Sequence, residues 1–180
     1  LLTRQGLPQL PGTSAAIEGV EKGAYIVQGD PNATPDIIFI GTGSELHLCT
    51  QAAQTLEEDG VRTRVVSMAS MARFEAQSDA YRDAILPAAC PVRLSVEAGR
   101  TKAWETYVGH FGGSVGVDRF GESAPADELA VFFGISLDNV LKQAQALLNR
   151  FEADAQTHIA TLEAAVARRA GGTGCSAQRC

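Results

Sequence analysis

The feature that most constrains this chain is an uninterrupted apolar strand followed by a glycine-containing turn and a helical pattern. Asp36-Ile-Ile-Phe-Ile-Gly41 shows no polar alternation, which is typical of a strand buried on both faces of a parallel sheet. After Thr42-Gly43-Ser44, apolar residues recur at helical spacing as far as Leu56, and Gly60 suits the end of that helix. Ser44 is the expected N-cap. A buried strand that leads directly into a helix predicts a βα unit.

The alternation of strand and helix patterns continues along most of the chain. Short apolar runs predict further strands at 24–27, 64–68, 92–97 and 114–117. Helical spacing predicts helices near 46–56, 78–86 and 104–108, a short helix beginning at Pro125, and a helix capped by Ser136. We therefore expect an α/β fold: a three-layer, doubly wound domain with a mostly parallel sheet of about five strands and helices on both faces.

The bulk composition excludes several classes of partner. The 180 residues are 45% hydrophobic and 20% charged, with a formal net charge of −6 and both signs interspersed. This fits one domain with appendages and offers no basic patch for nucleic acid or an anionic membrane, so neither is an expected partner. No apolar run reaches the length of about 18 residues that a transmembrane helix needs. The chain lacks a signal-peptide pattern. It also lacks a start methionine and opens inside an expected strand, so we expect a fragment of a longer protein or the product of a truncated gene.

The four cysteines favour a reducing, cytoplasmic setting. Cys49 and Cys90 lie in apolar segments and are expected to be buried thiols. Cys175 and Cys180 lie in a glycine-containing C-terminal tail. Their spacing matches neither a CxxC motif nor a metal site.

Two segments differ from the alternating pattern. Residues 1–35 contain four of the seven prolines, which is typical of a linker. Residues 152–169 are alanine-rich, with Ile159, Leu162 and Val166 at helical spacing. This pattern predicts an amphipathic helix packed on the domain or on a partner. Residues 171–180 are expected to be disordered.

The turn formed by Gly41, Thr42, Gly43 and Ser44 allows two interpretations. A glycine-rich turn between a strand and a helix exposes backbone N–H groups that can bind an anion, at the sheet edge where α/β folds usually hold ligands. However, its spacing is neither that of a P-loop nor that of GxGxxG. A tight structural turn is therefore the favoured interpretation, and a candidate anion site is the alternative.

The other polar and aromatic candidates are interpreted as structural. Glu97 ends a buried strand, so a hydrogen-bonded structural carboxylate is favoured over a functional one. Trp104 and Tyr107 share a helical face and are expected to pack in the core. Structural or solvent-exposed roles are also expected for the three histidines, His47, His110 and His158.

An ordered series of segments resembles the C-terminal region of transketolases. The most specific are Asp118-Arg-Phe-Gly-Glu-Ser-Ala-Pro-Ala126 and the spacing of Trp104 and Tyr107. The chain departs from the family pattern at Ala69, where the family usually has proline, and in residues 152–180, which have no counterpart. The full series is 2–5, 21–25, 40–45, 65–68, 74–77, 80–82, 85–87, 96–99, 104–109, 118–126, 133–134 and 139–140.

The resemblance implies a division of the chain and a location for the chemistry. It places the end of the pyrimidine-binding domain and a linker in 1–22, the C-terminal domain in 23–151, and an additional helical and then disordered tail in 152–180. Transketolases transfer a two-carbon ketol unit between sugar phosphates with thiamine diphosphate and magnesium. The residues that hold these cofactors lie upstream of Leu1, so no catalytic, cofactor-binding or metal-binding residue is assigned. Arg4 matches the arginine that binds the sugar phosphate, and its alternative is a solvated arginine near the chain terminus.

Two hypotheses for function follow. In the first, the chain is part of a homodimeric transketolase, as a fragment or as a subunit that assembles with separate N-terminal domains, and is inactive alone. In the second, it is a non-catalytic interaction or regulatory module of the same fold, with the Gly41–Ser44 turn and the 152–169 helix as its binding features.

Overall fold

The described part of the chain is organised around a five-stranded sheet. The structure is a computed structural model that describes residues 6–11, 13 and 16–171. Every strand overlaps one of the predicted strands, because each is marked by its own apolar run. The strands are β1 (Tyr25–Gln28), β2 (Ile37–Gly41), β3 (Thr63–Ser67), β4 (Arg93–Val96) and β5 (Gly113–Val115).

The strand order and directions confirm the predicted fold class. The strands lie in the order β1-β3-β2-β4-β5. β2 pairs in parallel with β3 and with β4, and β4 pairs in parallel with β5. β1 pairs antiparallel with β3, with Tyr25 opposite Ser67, Gln28 opposite Val65, and a register irregularity before Gln28. The result is a mixed, mostly parallel α/β sheet with one antiparallel edge strand.

Seven helices connect or flank these strands within the described residues. None of these seven is both long enough and apolar enough to cross a membrane. They are α1 (Ile17–Lys22), α2 (Leu46–Glu58), α3 (Met71–Glu75), α4 (Asp79–Ile85), α5 (Glu105–Val108), α6 (Ala126–Phe133) and α7 (Leu137–Gly171).

The hydrophobic core lies on both faces of the sheet. Successive side chains of a strand point to opposite faces. Ile37 and Phe39 of β2 therefore pack in one cluster with α2 and α7, whereas Ile38 and Ile40 pack in a second cluster with α3, α4 and α5. All five residues of β2 are buried, which explains its uninterrupted apolar run. These two clusters give the three layers that the sequence predicted.

A buried arginine in β3 ties the end of α4 and the β1–β2 loop to the sheet. Arg64 is only 2% exposed. Its Nη1 donates to the carbonyl oxygens of Ala84 and Ile85, at 2.9 and 3.2 Å. Burial lowers the pKa of the guanidinium, and its Nε is buried without an acceptor among the described residues. Its Nη2 donates to three carbonyl oxygens of the β1–β2 loop, those of Asp30, Pro31 and Ala33, at 3.0 to 3.2 Å.

The helix α7 is longer than the sequence pattern predicted. Its first half packs Val140, Ala144 and Leu147 against the sheet, and the backbone N–H of Asn139 donates to Ser136 Oγ at 3.4 Å, as expected for the N-cap. The helix then continues past Phe151 without a break. The predicted separate helix at 152–169 is therefore the second half of one helix. Residues 172–180, where disorder was predicted, lie outside the described residues.

Candidate functional site

The turn between β2 and α2 lies at the carboxyl edge of the sheet. Gly41 is buried, and a Cβ at this position would lie 2.9 Å from Cys49 Sγ and 3.1 Å from Leu46 Cα. Only glycine lets the end of β2 approach the first turn of α2 this closely. The strand–turn–helix arrangement predicted from the sequence is therefore present, and its glycine is required by packing.

Ser44 does not cap α2, contrary to the sequence-based expectation. A 3₁₀ turn at Gly43–Glu45 intervenes, so that α2 begins at Leu46 and Glu45 occupies the N-cap position without a side-chain cap bond. Ser44 Oγ instead donates to Glu45 Oε1 at 2.6 Å. The serine is one residue too early in the chain because the 3₁₀ turn delays the start of the α-helix.

The carboxylate of Glu45 lies at the start of α2, directly after the Gly41–Ser44 turn. Its Oε2 accepts a hydrogen bond from the backbone N–H of Ala98, at 3.2 Å, which links the turn after β2 to the turn after β4. An anion bound at the Gly41–Ser44 turn has to compete with this negative charge. The candidate anion site stays a prediction, and the geometry favours the structural interpretation of the turn.

His47 lies in the first turn of α2 and has a local partner. Its Nδ1 is 2.6 Å from the carbonyl oxygen of Ser44. Because a carbonyl oxygen can only accept, the Nδ1 carries the proton in this arrangement. The other two histidines, His110 and His158, are exposed and lie apart from this turn. The structure thus brings none of the three histidines to a shared site.

The turns after β4 and β5 complete the carboxyl edge. Glu97 Oε2 accepts a hydrogen bond from the indole N–H of the buried Trp104, at 2.8 Å. Asp118 accepts from both the backbone N–H and the hydroxyl of Thr101, at 3.0 and 2.6 Å. These hydrogen bonds lower the pKa of the Asp118 carboxyl group. Each carboxylate at this edge is therefore already committed to a hydrogen bond that holds a loop.

A partly buried hydrogen bond between Tyr107 of α5 and Glu75 of α3 was not predicted. The Tyr107 hydroxyl donates to Glu75 Oε1 at 2.5 Å. Burial raises the pKa of the Tyr107 phenol, and the adjacent Glu75 carboxylate raises it further. The packing role predicted for Tyr107 and Trp104 is consistent with their burial and with the edge contact between their rings, whose centroids are 6.1 Å apart.

The linker before α1 crosses the same edge of the sheet. A cavity of about 280 Å³ lies between the linker residues Leu7–Leu10 and the turn residues Gly43, Ser44 and His47. Ser67, at the carboxyl end of β3, also lines it. Arg4, the predicted phosphate-binding residue, lies outside the described residues, so its role stays a prediction.

The described residues contain no cluster with metal-binding geometry. Among residues 6–11, 13 and 16–171, no three His, Cys, Asp or Glu side chains converge as metal ligands. Cys49 and Cys90 are free thiols and buried, as predicted. Burial raises the pKa of Cys90, and of Cys49 by more, so both favour the neutral thiol.

Two hydrogen bonds between residues that are distant in sequence were not predicted. Glu45 and Ala98 are 53 residues apart, and Tyr107 and Glu75 are 32 apart. The one local signal was a glutamate directly after the Gly41–Ser44 turn, where a carboxylate is favoured by the helix dipole. That signal indicates a helix start but does not identify the partner.

Comparisons with known proteins agree on one family. Residues 23–136 match the family model described as "Transketolase-like TK C-terminal domain". The transketolase of Nostoc is 50% identical over 146 residues, which are 81% of this chain and 21% of that protein. Transketolase 7 of Craterostigma plantagineum is 47% identical over 150 residues, covering 82% of this chain and 22% of the relative.

A solved structure agrees with the sequence relatives. The transketolase from Leishmania mexicana superimposes with a TM-score of 0.74 and 40% identity, covering 82% of this chain and 21% of that one. The chain thus spans about a fifth of the length of the relatives it matches.

Proposed function

The chain belongs to the transketolase family, whose C-terminal domain it contains, and we propose that it acts as the C-terminal part of an enzyme that transfers a two-carbon ketol unit between sugar phosphates. The observation that carries this proposal is the match of residues 23–136 to the family's C-terminal domain, together with identities of 47 to 50% to named transketolases. We assign 1–22 to the end of the preceding domain and a linker, 23–151 to the C-terminal domain, and 152–180 to an added tail.

In this proposal the cofactor chemistry belongs to the upstream part of the enzyme. Thiamine diphosphate, when bound there with magnesium, supplies the stabilised carbanion. The resemblance places the residues that hold these cofactors upstream of Leu1, and none of the described residues is assigned to that role. The chain alone is therefore expected to lack ketol transfer.

Arg4 is the residue of this chain that we propose contacts substrate. A guanidinium stays charged and offers a planar set of donors that binds phosphate through two parallel hydrogen bonds. Arg4 lies two residues before Gly6, the first described residue. The role rests on the Leu2-Thr-Arg4-Gln5 segment, which resembles the family's phosphate-binding segment.

The proposed assembly follows from the expected location of the cofactor site upstream of this chain. The partners are the N-terminal transketolase domains, in the same polypeptide or as a separate subunit, and the parent enzyme is proposed to be a homodimer. The cytoplasm is the location suggested by the cysteine pattern, although several relatives are named as chloroplastic.

The test is a complementation assay for ketol transfer. The purified chain is assayed alone, and then mixed with the upstream region of the Nostoc transketolase, with thiamine diphosphate and magnesium present. Activity in the mixture only is the expected result. Activity of the chain alone would show that the cofactor site is not upstream.

Two substitutions refine this assay. In the active mixture, Arg4→Ala is expected to lower kcat/KM for sugar phosphates about ten- to hundredfold, as for the loss of a charged hydrogen bond. Arg82→Ala is the matched control, since Arg82 is a surface arginine on α4 that pairs only with Asp79 among the described residues. Absence of activity in the mixture would favour the regulatory-module hypothesis.

A further inference from the structure

An exposed apolar patch lies beside the carboxyl edge of the sheet. Phe120 is 94% exposed, and Val131 and Phe132 of α6 are 74% and 56% exposed. We name these three residues the Phe120 patch. No side chain of α6 is fully buried, although most of its residues are apolar. Phe120 directly follows Arg119, whose guanidinium lies over the Phe132 ring, so the two aromatic side chains belong to one region of the surface. Large exposed apolar side chains in one region commonly mark a contact with another protein surface.

The neighbours of the patch hold it in place. The Arg119 guanidinium lies over the ring of Phe132, 4.9 Å from its centroid, and pairs with Glu122 at 3.0 Å. On the other side of the loop, Asp118 is bound to Thr101 by two hydrogen bonds. Phe120 is therefore presented by a loop with anchored neighbours, which lowers the entropy lost when the aromatic ring is buried against a partner.

The loop that carries Phe120 starts at the edge where the chain arrives from upstream. It follows the carboxyl end of β5, while the linker residues Leu7–Leu10 line one cavity together with the turn after β2 and the carboxyl end of β3. β5 lies two strands from β2, a distance of about 10 Å at the usual spacing of strands. The relatives are about five times longer than the matched region, so in the proposed enzyme the linker leads from this edge towards large preceding domains.

We propose that the Phe120 patch is the surface on which this domain docks against the preceding transketolase domains. The inference rests on the proposed function, and it identifies an apolar partner surface with a pocket for an aromatic ring. Three side chains bury a few hundred Å², well below the roughly 800 Å² per partner of a stable complex between separate chains. A contact of this size suffices between domains that a linker already holds together, so a second copy of this chain is the less suitable occupant.

The test measures burial of position 120 directly. Phe120→Cys is introduced into a chain whose Cys175 and Cys180 are replaced by serine, and the rate of maleimide labelling is compared in two contexts. One is the chain alone, and the other is the chain fused in register to the upstream domains of the Nostoc transketolase. Glu58→Cys is the matched control, because Glu58 is an exposed residue at the end of α2, at the opposite edge of the sheet.

The expected result is labelling at position 120 that is slower by about tenfold or more in the fusion, as for a site that reacts only when locally opened. Labelling at position 58 should be unchanged. Equal rates at position 120 in both contexts would overturn the proposal. Slowing that appears in the chain alone as its concentration rises would also overturn it, in favour of a second copy.

A second variant removes the dependence on the introduced thiol. Phe132→Ser is expected to speed proteolytic cleavage of the 6–16 linker in the fusion, without changing the cleavage of the chain alone.

Ketol transfer is measured on the same fusion, so that the docking surface and the proposed function are tested separately. An active fusion with unprotected position 120 refutes the docking surface only, and an inactive fusion with protected position 120 refutes the proposed function only.

Discussion

Replacing the buried guanidinium of Arg64 tests how much one buried ion contributes to the stability of this domain. Arg64→Met keeps most of the side-chain length and removes all five hydrogen bonds to carbonyl oxygens at the end of α4 and in the β1–β2 loop. A hydrogen bond to a charged group contributes about 1.5–3 kcal/mol. Burying the ion costs several kcal/mol and offsets much of that sum. The expected net loss in the free energy of unfolding is about 2–4 kcal/mol.

Urea unfolding followed by tryptophan fluorescence measures this loss. Trp104 is the single tryptophan of the sequence and is buried, so its emission reports on the core. With a denaturant slope of about 2 kcal/mol per molar, the midpoint should fall by about 1–2 M. The slope itself should stay constant, because the surface exposed on unfolding is nearly unchanged.

Arg62→Met is the matched control. Arg62 lies two residues earlier and pairs with Asp36 on the surface, where its side chain is 65% exposed. An exposed pair contributes about 0–1 kcal/mol, so the midpoint should shift little. If the two variants unfold at the same urea concentration, or if Arg64→Met is the more stable, the reasoning about the Arg64 hydrogen bonds is refuted.

Three further predictions concern a glycine, a phenol and a thiol. Gly23→Ala should destabilise the chain by about 3 kcal/mol in the same urea assay, because Gly23 has a φ of 92° and an added Cβ would lie 2.4 Å from backbone atoms. Gly60→Ala is its control, since Gly60 has a similar φ but open space around it, and it should cost only about 1 kcal/mol. The pKa of Tyr107 is higher in the folded chain than in the unfolded chain, where it is about 10. This difference adds stability below about pH 10 that is lost as the pH rises further. Tyr107→Phe should therefore flatten the decline of the unfolding midpoint between about pH 9 and 11, and an unchanged decline would contradict this role. In a variant whose other three cysteines are alanine, Cys49 should react with a thiol reagent no faster than the chain unfolds, because it is fully buried.

The fold was largely predictable because its signals are local. The apolar run of β2, its glycine and the helical spacing up to Leu56 lie within about 20 residues of one another, and each follows from burial on a definite face. The same holds for the strands that pair in parallel with β2. The antiparallel direction of β1 carries no comparable signal, since four residues with a half-buried pattern are compatible with either direction.

The details at the carboxyl edge were less predictable because their partners are distant in sequence. The cap position of α2 depends on a 3₁₀ turn that shifts the helix start from Ser44 to Leu46. The hydrogen bond from Ala98 to Glu45 exists only once two loops meet. Arg64 is a similar case, because its acceptors are backbone carbonyls, which every residue has, and no sequence pattern distinguishes them.

The two candidate site features had different sources: the strand–turn–helix pattern for the Gly41–Ser44 turn, and family resemblance for Arg4. Arg4 and the Gly41–Ser44 turn stay predictions, since Arg4 lies outside the described residues and the turn carries a competing carboxylate. The residues that give a transketolase its chemistry are expected upstream of Leu1. The physical chemistry of this chain therefore defines how a domain is built and attached, and the proposed enzyme activity depends on what it is attached to.

The antiparallel direction of β1 determines how the domain responds to tension from its N-terminal side. Tyr25, the first residue of β1, is paired with Ser67, and the ladder ends at Gln28 opposite Val65. A pull on the start of β1 that is directed away from the sheet edge loads this short ladder one residue pair at a time, so we expect β1 to separate before the parallel pairs among β2, β3, β4 and β5. In the proposed enzyme, this separation would free α1 and β1 and lengthen the connection to the preceding domains, while the remaining four strands keep their packing.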